Sequence, residues 1–232
     1  MHKSLLSASL IAFALAAPFA QAHEAGDIIV RAGAITVNPK ADSSSVKVDQ
    51  GPLAGTNLGG KATMNSNTQL GLNFAYMLSN NIGIELLAAS PFEHDVNLKG
   101  TSLGAANGKL GTLKHLPPTL SLVYYPLDHK SAFQPYVGAG INYTWIYDEK
   151  LSNEAQANGF SNFKAKNSWG MAFQVGADYM ITDNIMLNAQ MRYIDINTRA
   201  TVENDAVAPG TRARVNVDVD PFVYMVGLGY KF

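Results

Sequence analysis

Apolar and polar residues alternate one by one along most of this chain. The clearest run is Thr68 to Leu78, with Leu70, Leu72, Phe74, Tyr76 and Leu78 on one face and Gln69, Gly71, Asn73 and Ala75 on the other. A period of two marks a strand with two different environments. The pattern returns at Ile82–Ser90, Phe133–Tyr147 and Ser168–Met180, and less regularly at Ile28–Val37, Thr119–Tyr125 and Ile185–Asn197. An eighth strand runs to the C-terminus: Phe222, Tyr224, Val226, Leu228, Tyr230 and Phe232 form an apolar stripe opposite Val223, Met225, Gly227, Gly229 and Lys231.

The connections alternate in length. Short turns fall at Ser79–Asn81, near Asp128–Ala132 and at Thr182–Asn184; long polar loops span about Asn38–Asn67, Phe92–His115, Asp148–Asn167 and Thr198–Asp218. The polar face of the strands is Gly, Ala, Asn, Gln, Thr and Ser with few charges, which suits a narrow lumen better than a water-exposed surface. The pattern predicts an all-β fold, an eight-stranded antiparallel transmembrane β-barrel with short periplasmic turns and long extracellular loops. A strand of 11 residues, at about 3.3 Å each and tilted near 45°, rises roughly 26 Å, which matches an apolar band of about 25 Å. A soluble barrel with the faces reversed is the competing reading, and the scarcity of Lys and Glu on the polar face argues against it.

The N-terminus sets the compartment. Met1-His2-Lys3 is a basic start, Leu5 to Ala17 is an apolar run broken only by Ser7 and Ser9, and Ala20-Gln21-Ala22 is an A-x-A cleavage site. The run is too short to span a bilayer, so residues 1–22 are predicted to be a cleaved secretory signal peptide. Residues 23–232 then form one barrel domain in the cell outer membrane of a Gram-negative bacterium. There is no cysteine, and the net charge of −1 with interspersed signs gives nucleic acid no footprint.

Inward parity collects Arg31, Asn73, Glu85, Gln174 and Asp178 towards the periplasmic end, and a buried charge needs a partner. These residues are expected to form an interior polar plug. Leu87 is inward by parity among small and polar neighbours. Pro91 cannot donate to a ladder; it either opens the wall locally or ends the third strand. Glu93-His94-Asp95 and His115 flank the second long loop, where two histidines near carboxylates suggest a metal site; solvated loop residues are the reading preferred, with no metal and no cofactor. No nucleophile, base and acid group into a catalytic set, so an enzyme is not expected.

Several motifs recur together and in order: Arg31-Ala32-Gly33, Asn81 to Ala89 (NIGIELLAA), Pro91-Phe92, His115 to Leu120 (HLPPTL), Pro135 to Thr144 (PYVGAGINYT) and Asp218-Val219-Asp220-Pro221. With them the mature chain resembles the OmpW family of small outer-membrane channels along its full length. The resemblance implies passive uptake of small hydrophobic or amphipathic solutes that leave sideways through the barrel wall. It places Pro91 at a lateral gate and Leu87 in an apolar constriction, and it sets Arg192 where several relatives carry Trp. Arg192 either makes that constriction more polar or joins the internal network. The expected partners are outer-membrane lipid, the solutes, and a barrel-assembly machinery that reads Phe232, Tyr230 and Leu228. The alternative function is a structural or adhesive barrel that binds partners through its loops.

Overall fold

The computed structural model describes residues 22–102, 104 and 107–232, so all of the predicted signal peptide except Ala22 lies outside the described residues. In chain order the strands begin with β1 (Ile28–Asn38), β2 (Asp42–Ser43), β3 (Val46–Gln50), β4 (Asn57–Met64), β5 (Asn67–Met77) and β6 (Ile82–Ala89). Then come β7 (Phe92–Thr101), β8 (Gly108–Leu116), β9 (Thr119–Tyr124) and the long β10 (Phe133–Leu151), followed by a short helix α1 (Asn153–Ala157). The last are β11 (Phe160–Ala165), β12 (Ser168–Met180), β13 (Ile185–Ile194), β14 (Asn197–Asn204), β15 (Arg212–Asp218) and β16 (Phe222–Lys231).

Eight of these strands close on themselves. The order β1–β5–β6–β9–β10–β12–β13–β16 returns to β1, and every pairing is antiparallel. Closure leaves no unpaired edge, which is what a sheet in lipid requires. The seam between the first and last strands is tight: Gly33 lies opposite Gly227, and a Cβ on Gly33 would sit 2.5 Å from the Gly227 Cα. Only glycine lets the two backbones approach this closely.

The outward face of the wall is an apolar belt that includes Leu70, Phe74, Leu86, Leu122, Val137, Phe173 and Val226, all exposed. Tyr143 against Trp169 and Trp145 against Tyr147 border it at the long-loop end, and Tyr230 against Phe232 at the short-turn end. Trp169 is 69% exposed, a position that favours the bilayer interface for an amphipathic ring.

The four long connections, expected as polar loops, are largely strands. They build a second sheet, β11–β14–β15–β3–β4–β7–β8, which joins the upper half of β10 and raises the wall into a rim. In β7 the alternation persists, with Phe92, His94, Val96 and Leu98 buried while Glu93 and Lys99 are exposed. What changes is the outward face, which is now polar because it meets water. The inner face of the rim is apolar, and it runs down into an apolar interior formed by Ile35, Val37, Leu87, Ile194, Val223 and Met225.

Candidate functional site

Below that apolar interior the barrel interior holds a network of buried charges. Arg31 lies on β1 between Gly229 of β16 and Asn73 of β5, and its guanidinium reaches across the barrel. Nε and Nη2 donate to the two carboxylate oxygens of Asp178 at 3.0 and 2.5 Å, and Nη1 donates to Asn73 Oδ1 at 2.9 Å and Glu85 Oε2 at 3.4 Å. Arg192, on β13 opposite Gln174, donates through Nη2 to Glu85 Oε1 at 2.6 Å and through Nε to Gln174 Oε1 at 2.7 Å. Gln174 returns a bond to Glu85 Oε1 at 2.9 Å. Two guanidinium groups thus face two carboxylates, and none of the four is more than 2% exposed. Each charge has a partner, which is the condition for keeping it buried.

All five expected plug residues therefore meet in one cluster. Arg192 joins them there and not an apolar constriction. Leu87 is buried above them, one inward position along β6 from Glu85. Four further members join the cluster from positions not expected there. Tyr125 accepts from Arg31 Nη2 at 2.9 Å, Asn188 donates to Asp178 Oδ1 at 2.8 Å and to the Tyr136 hydroxyl at 3.0 Å, and His23 Nε2 contacts Asp178 Oδ2 at 3.0 Å. Parity could have found Tyr125 and Tyr136, each two residues from an inward neighbour. The Tyr136 ring also needs Gly176 across the ladder, where a Cβ would come within 2.5 Å of it.

The wall is interrupted around Pro91. The β5–β6 ladder ends at Gly71 opposite Ala89, and the β4–β7 ladder begins at Met64 opposite Val96, seven residues away on each side. The register is thus kept across the gap, and its continuation would set Pro91 opposite Gln69. No ladder pair forms between residues 65–70 and 90–95. Isolated bonds remain there, such as Ser90 N–H to the Leu70 carbonyl at 3.0 Å and Asp95 N–H to Asn65 Oδ1 at 2.7 Å. On the other flank, Leu87 pairs with Thr119 and Phe92 with His115, so four residues face three and the ladder slips by one. That count of residues is a β-bulge.

The second flank is held by a buried clasp. Pro117 and Pro118 cannot donate to the ladder, but Asn142 Nδ2 donates to both of their carbonyls at 3.1 Å and to Thr119 Oγ1 at 3.0 Å. Thr144 Oγ1 donates to Asn142 Oδ1 at 2.6 Å, which fixes the amide. The segment Ser90–Pro91 therefore lies between two unpaired stretches, one clasped and one spanned by isolated bonds.

His94 and His115, expected as solvated loop residues, are buried inside the rim. They lie on the paired strands β7 and β8, His94 opposite Leu113 and His115 opposite Phe92, and the one-residue slip at Ser90–Pro91 turns the even-numbered side chains of β7 inward. His94 Nδ1 donates to the Asn65 carbonyl at 2.6 Å, and the two Nε2 atoms meet at 2.9 Å. Glu93, Asp95 and Lys114, on the opposite faces of the same strands, point outward and form ion pairs with one another and with Lys109 of β8 and Asp148 of β10. Such charges lie above the apolar belt, so this pair belongs to the rim. Burial, followed by repulsion from His94, pushes the His115 imidazole down to about 3, and burial lowers His94 despite its bond to Asn65 and the nearby Asp95. Both rings are neutral at ordinary pH. The carboxylates point away, and no group of three or more His, Cys, Asp or Glu able to hold a metal ion is present among the described residues.

A closed barrel with an apolar outer belt, aromatic borders and charges kept off that belt is an outer-membrane β-barrel. The OmpW family model matches residues 24–232, and the chain belongs to that family. Outer membrane protein W of Vibrio cholerae serotype O1 is 42% identical over 232 residues, covering 100% of both chains. The crystal structure of the outer membrane protein OprG from Pseudomonas aeruginosa superposes with a TM-score of 0.84 at 46% identity, over 91% of this chain and 98% of that one. A more distant relative, the dibenzothiophene metabolism operon protein PahQ of Pseudomonas aeruginosa, is 26% identical over 174 residues, covering 75% of this chain and 76% of PahQ.

Proposed function

We propose that this barrel passes small hydrophobic or amphipathic molecules inward across the outer membrane, without catalysis, and releases them sideways through the wall beside Pro91. The observation that carries the reading is vertical order. The charged plug closes the lumen below, the interior above it is apolar, and the ladder is broken at the junction. An apolar solute entering through the rim meets Ile35, Val37 and Leu87, and then a layer of paired charges it has no reason to cross. Solvation favours the lipid over that layer. Pro91 keeps the exit from zipping shut because it has no N–H to offer. A relative named for an operon of dibenzothiophene metabolism, an apolar aromatic, supports the solute class.

The test compares wild type with Pro91→Ala in cells lacking the native barrel, and follows uptake of a labelled hydrocarbon. Ser90 N–H is turned to the Leu70 carbonyl, so alanine at 91 restores a donor towards the other flank, at Leu116–Pro118, and uptake is expected to fall sharply at unchanged expression. Unaltered uptake in the variant rejects the exit at Pro91. Absence of uptake by the wild type rejects the channel itself and leaves the adhesive barrel.

A further inference from the structure

The proposed route leaves one group of the rim without a role. His94 Nδ1 spends its proton on the Asn65 carbonyl, so its Nε2 presents a lone pair. His115 Nε2 must then carry the proton that bridges the 2.9 Å between the rings. That tautomer leaves His115 Nδ1 a bare acceptor, and this buried atom has no partner. An unpaired buried acceptor is a standing cost, and in a native structure it calls for an explanation.

Both rings line a cavity of about 30 Å³, with Val37, Met64, Leu113 and Ile146 among its apolar walls. Two threonines also line it, and neither hydroxyl is free to serve Nδ1. Thr144 Oγ1 donates to Asn142 Oδ1 at 2.6 Å, and Thr198 Oγ1 donates to the Lys166 carbonyl at 2.5 Å. His115 Nδ1 is therefore a buried, uncommitted acceptor on a ring that lines a small apolar chamber. The chamber has room for a hydroxyl or amino group, with the body of a solute left in the apolar interior beneath. Phe92, buried just inside the wall break, lies with its ring centroid 5.3 Å from that of His115.

We propose that this chamber is a binding subsite for the polar end of small apolar molecules carrying one hydrogen-bond donor, simple phenols being the model case, with His115 Nδ1 as the acceptor. This rests on the channel reading and sharpens it, since a plain hydrocarbon would leave Nδ1 unpaired and a phenol would not.

The test pairs p-cresol with p-xylene, which have nearly the same shape and differ by a hydroxyl in place of a methyl. Binding to the full barrel in bilayer nanodiscs is measured against partition into empty nanodiscs, with nitrogen NMR of the His115 ring recorded alongside. The wild type is expected to prefer p-cresol by roughly 2- to 10-fold, the range of one neutral hydrogen bond, and the His115 Nδ1 resonance should shift with p-cresol alone. His115→Phe, which keeps a ring beside Phe92, is expected to bind both equally. If that variant fails to assemble, the wild-type resonance decides. Equal binding with an unmoved Nδ1 resonance, or a preference that survives in His115→Phe, overturns the subsite. If neither compound binds the wild type above the nanodisc background, the channel reading falls with it.

Discussion

At the scale of single residues, the plug shows how a barrel of this width keeps four charges out of water. Glu85 is its centre, because it alone accepts from both Arg31 and Arg192. Removing it leaves two guanidinium groups with one carboxylate between them, and breaking a buried pair in this way costs about 3–5 kcal/mol. Lys150 also has a carboxylate partner, Asp148 at 3.0 Å, but its side chain is 66% exposed, and such pairs contribute about 0–1 kcal/mol. Glu85→Ala is therefore expected to lower the urea midpoint of the refolded barrel clearly, and Lys150→Ala to leave it nearly unchanged. Equal midpoints would show that the plug does not hold the barrel together.

At the scale of elements, the β7–β8 hairpin is where alternation changes phase. Up to Leu87 the inward residues are odd-numbered, and from Phe92 they are even-numbered. The slip carries His94 inside and makes the hairpin sensitive to acid. The direction follows from linkage: His115 is held down to about 3 in the fold, whereas the unfolded chain takes up its proton near 6.5. Between those values the unfolded state binds more protons, so stability is fully present above about pH 6.5 and declines as the pH falls towards 3. Protease cleavage within the rim should therefore accelerate from neutral pH to about pH 4, judged with an acid-tolerant protease against an unstructured control peptide. In His115→Phe the acceleration should be smaller. A pH profile identical in the two proteins would remove the histidine pair from the argument.

At the scale of the molecule, closure and insertion are separate matters. Phe232 pairs through its backbone, donating to the Ile28 carbonyl at 2.8 Å, but its side chain is 70% exposed and touches the Tyr230 ring outside the barrel. It contributes nothing to the plug or the apolar interior. We propose that this ring, with Tyr230 and Leu228 on the same stripe, is a handle for the assembly machinery. Deleting Phe232 should then leave a chain that refolds in detergent with normal heat-modifiable mobility but accumulates unfolded in the periplasm. Normal levels of folded barrel in outer-membrane fractions would count against this role.

Taken alone, the sequence determined the barrel. Lipid and lumen demand different residues at every second position, and that demand is written locally wherever a strand crosses the membrane. Parity also brought Arg31, Asn73, Glu85, Gln174 and Asp178 to one end of the lumen, because inward direction repeats with the pleat. Tertiary structure decided what depends on register between distant strands. It set Arg192 against Glu85, 107 positions away, and it turned predicted loops into a rim whose water-facing side weakens the hydrophobic contrast. It also placed a one-residue slip at Ser90–Pro91, where two proline-bearing stretches leave the ladder incomplete. Alternation within one strand carries no record of such a slip. The meeting of His94 with His115 is therefore visible only once the neighbouring strands are in place.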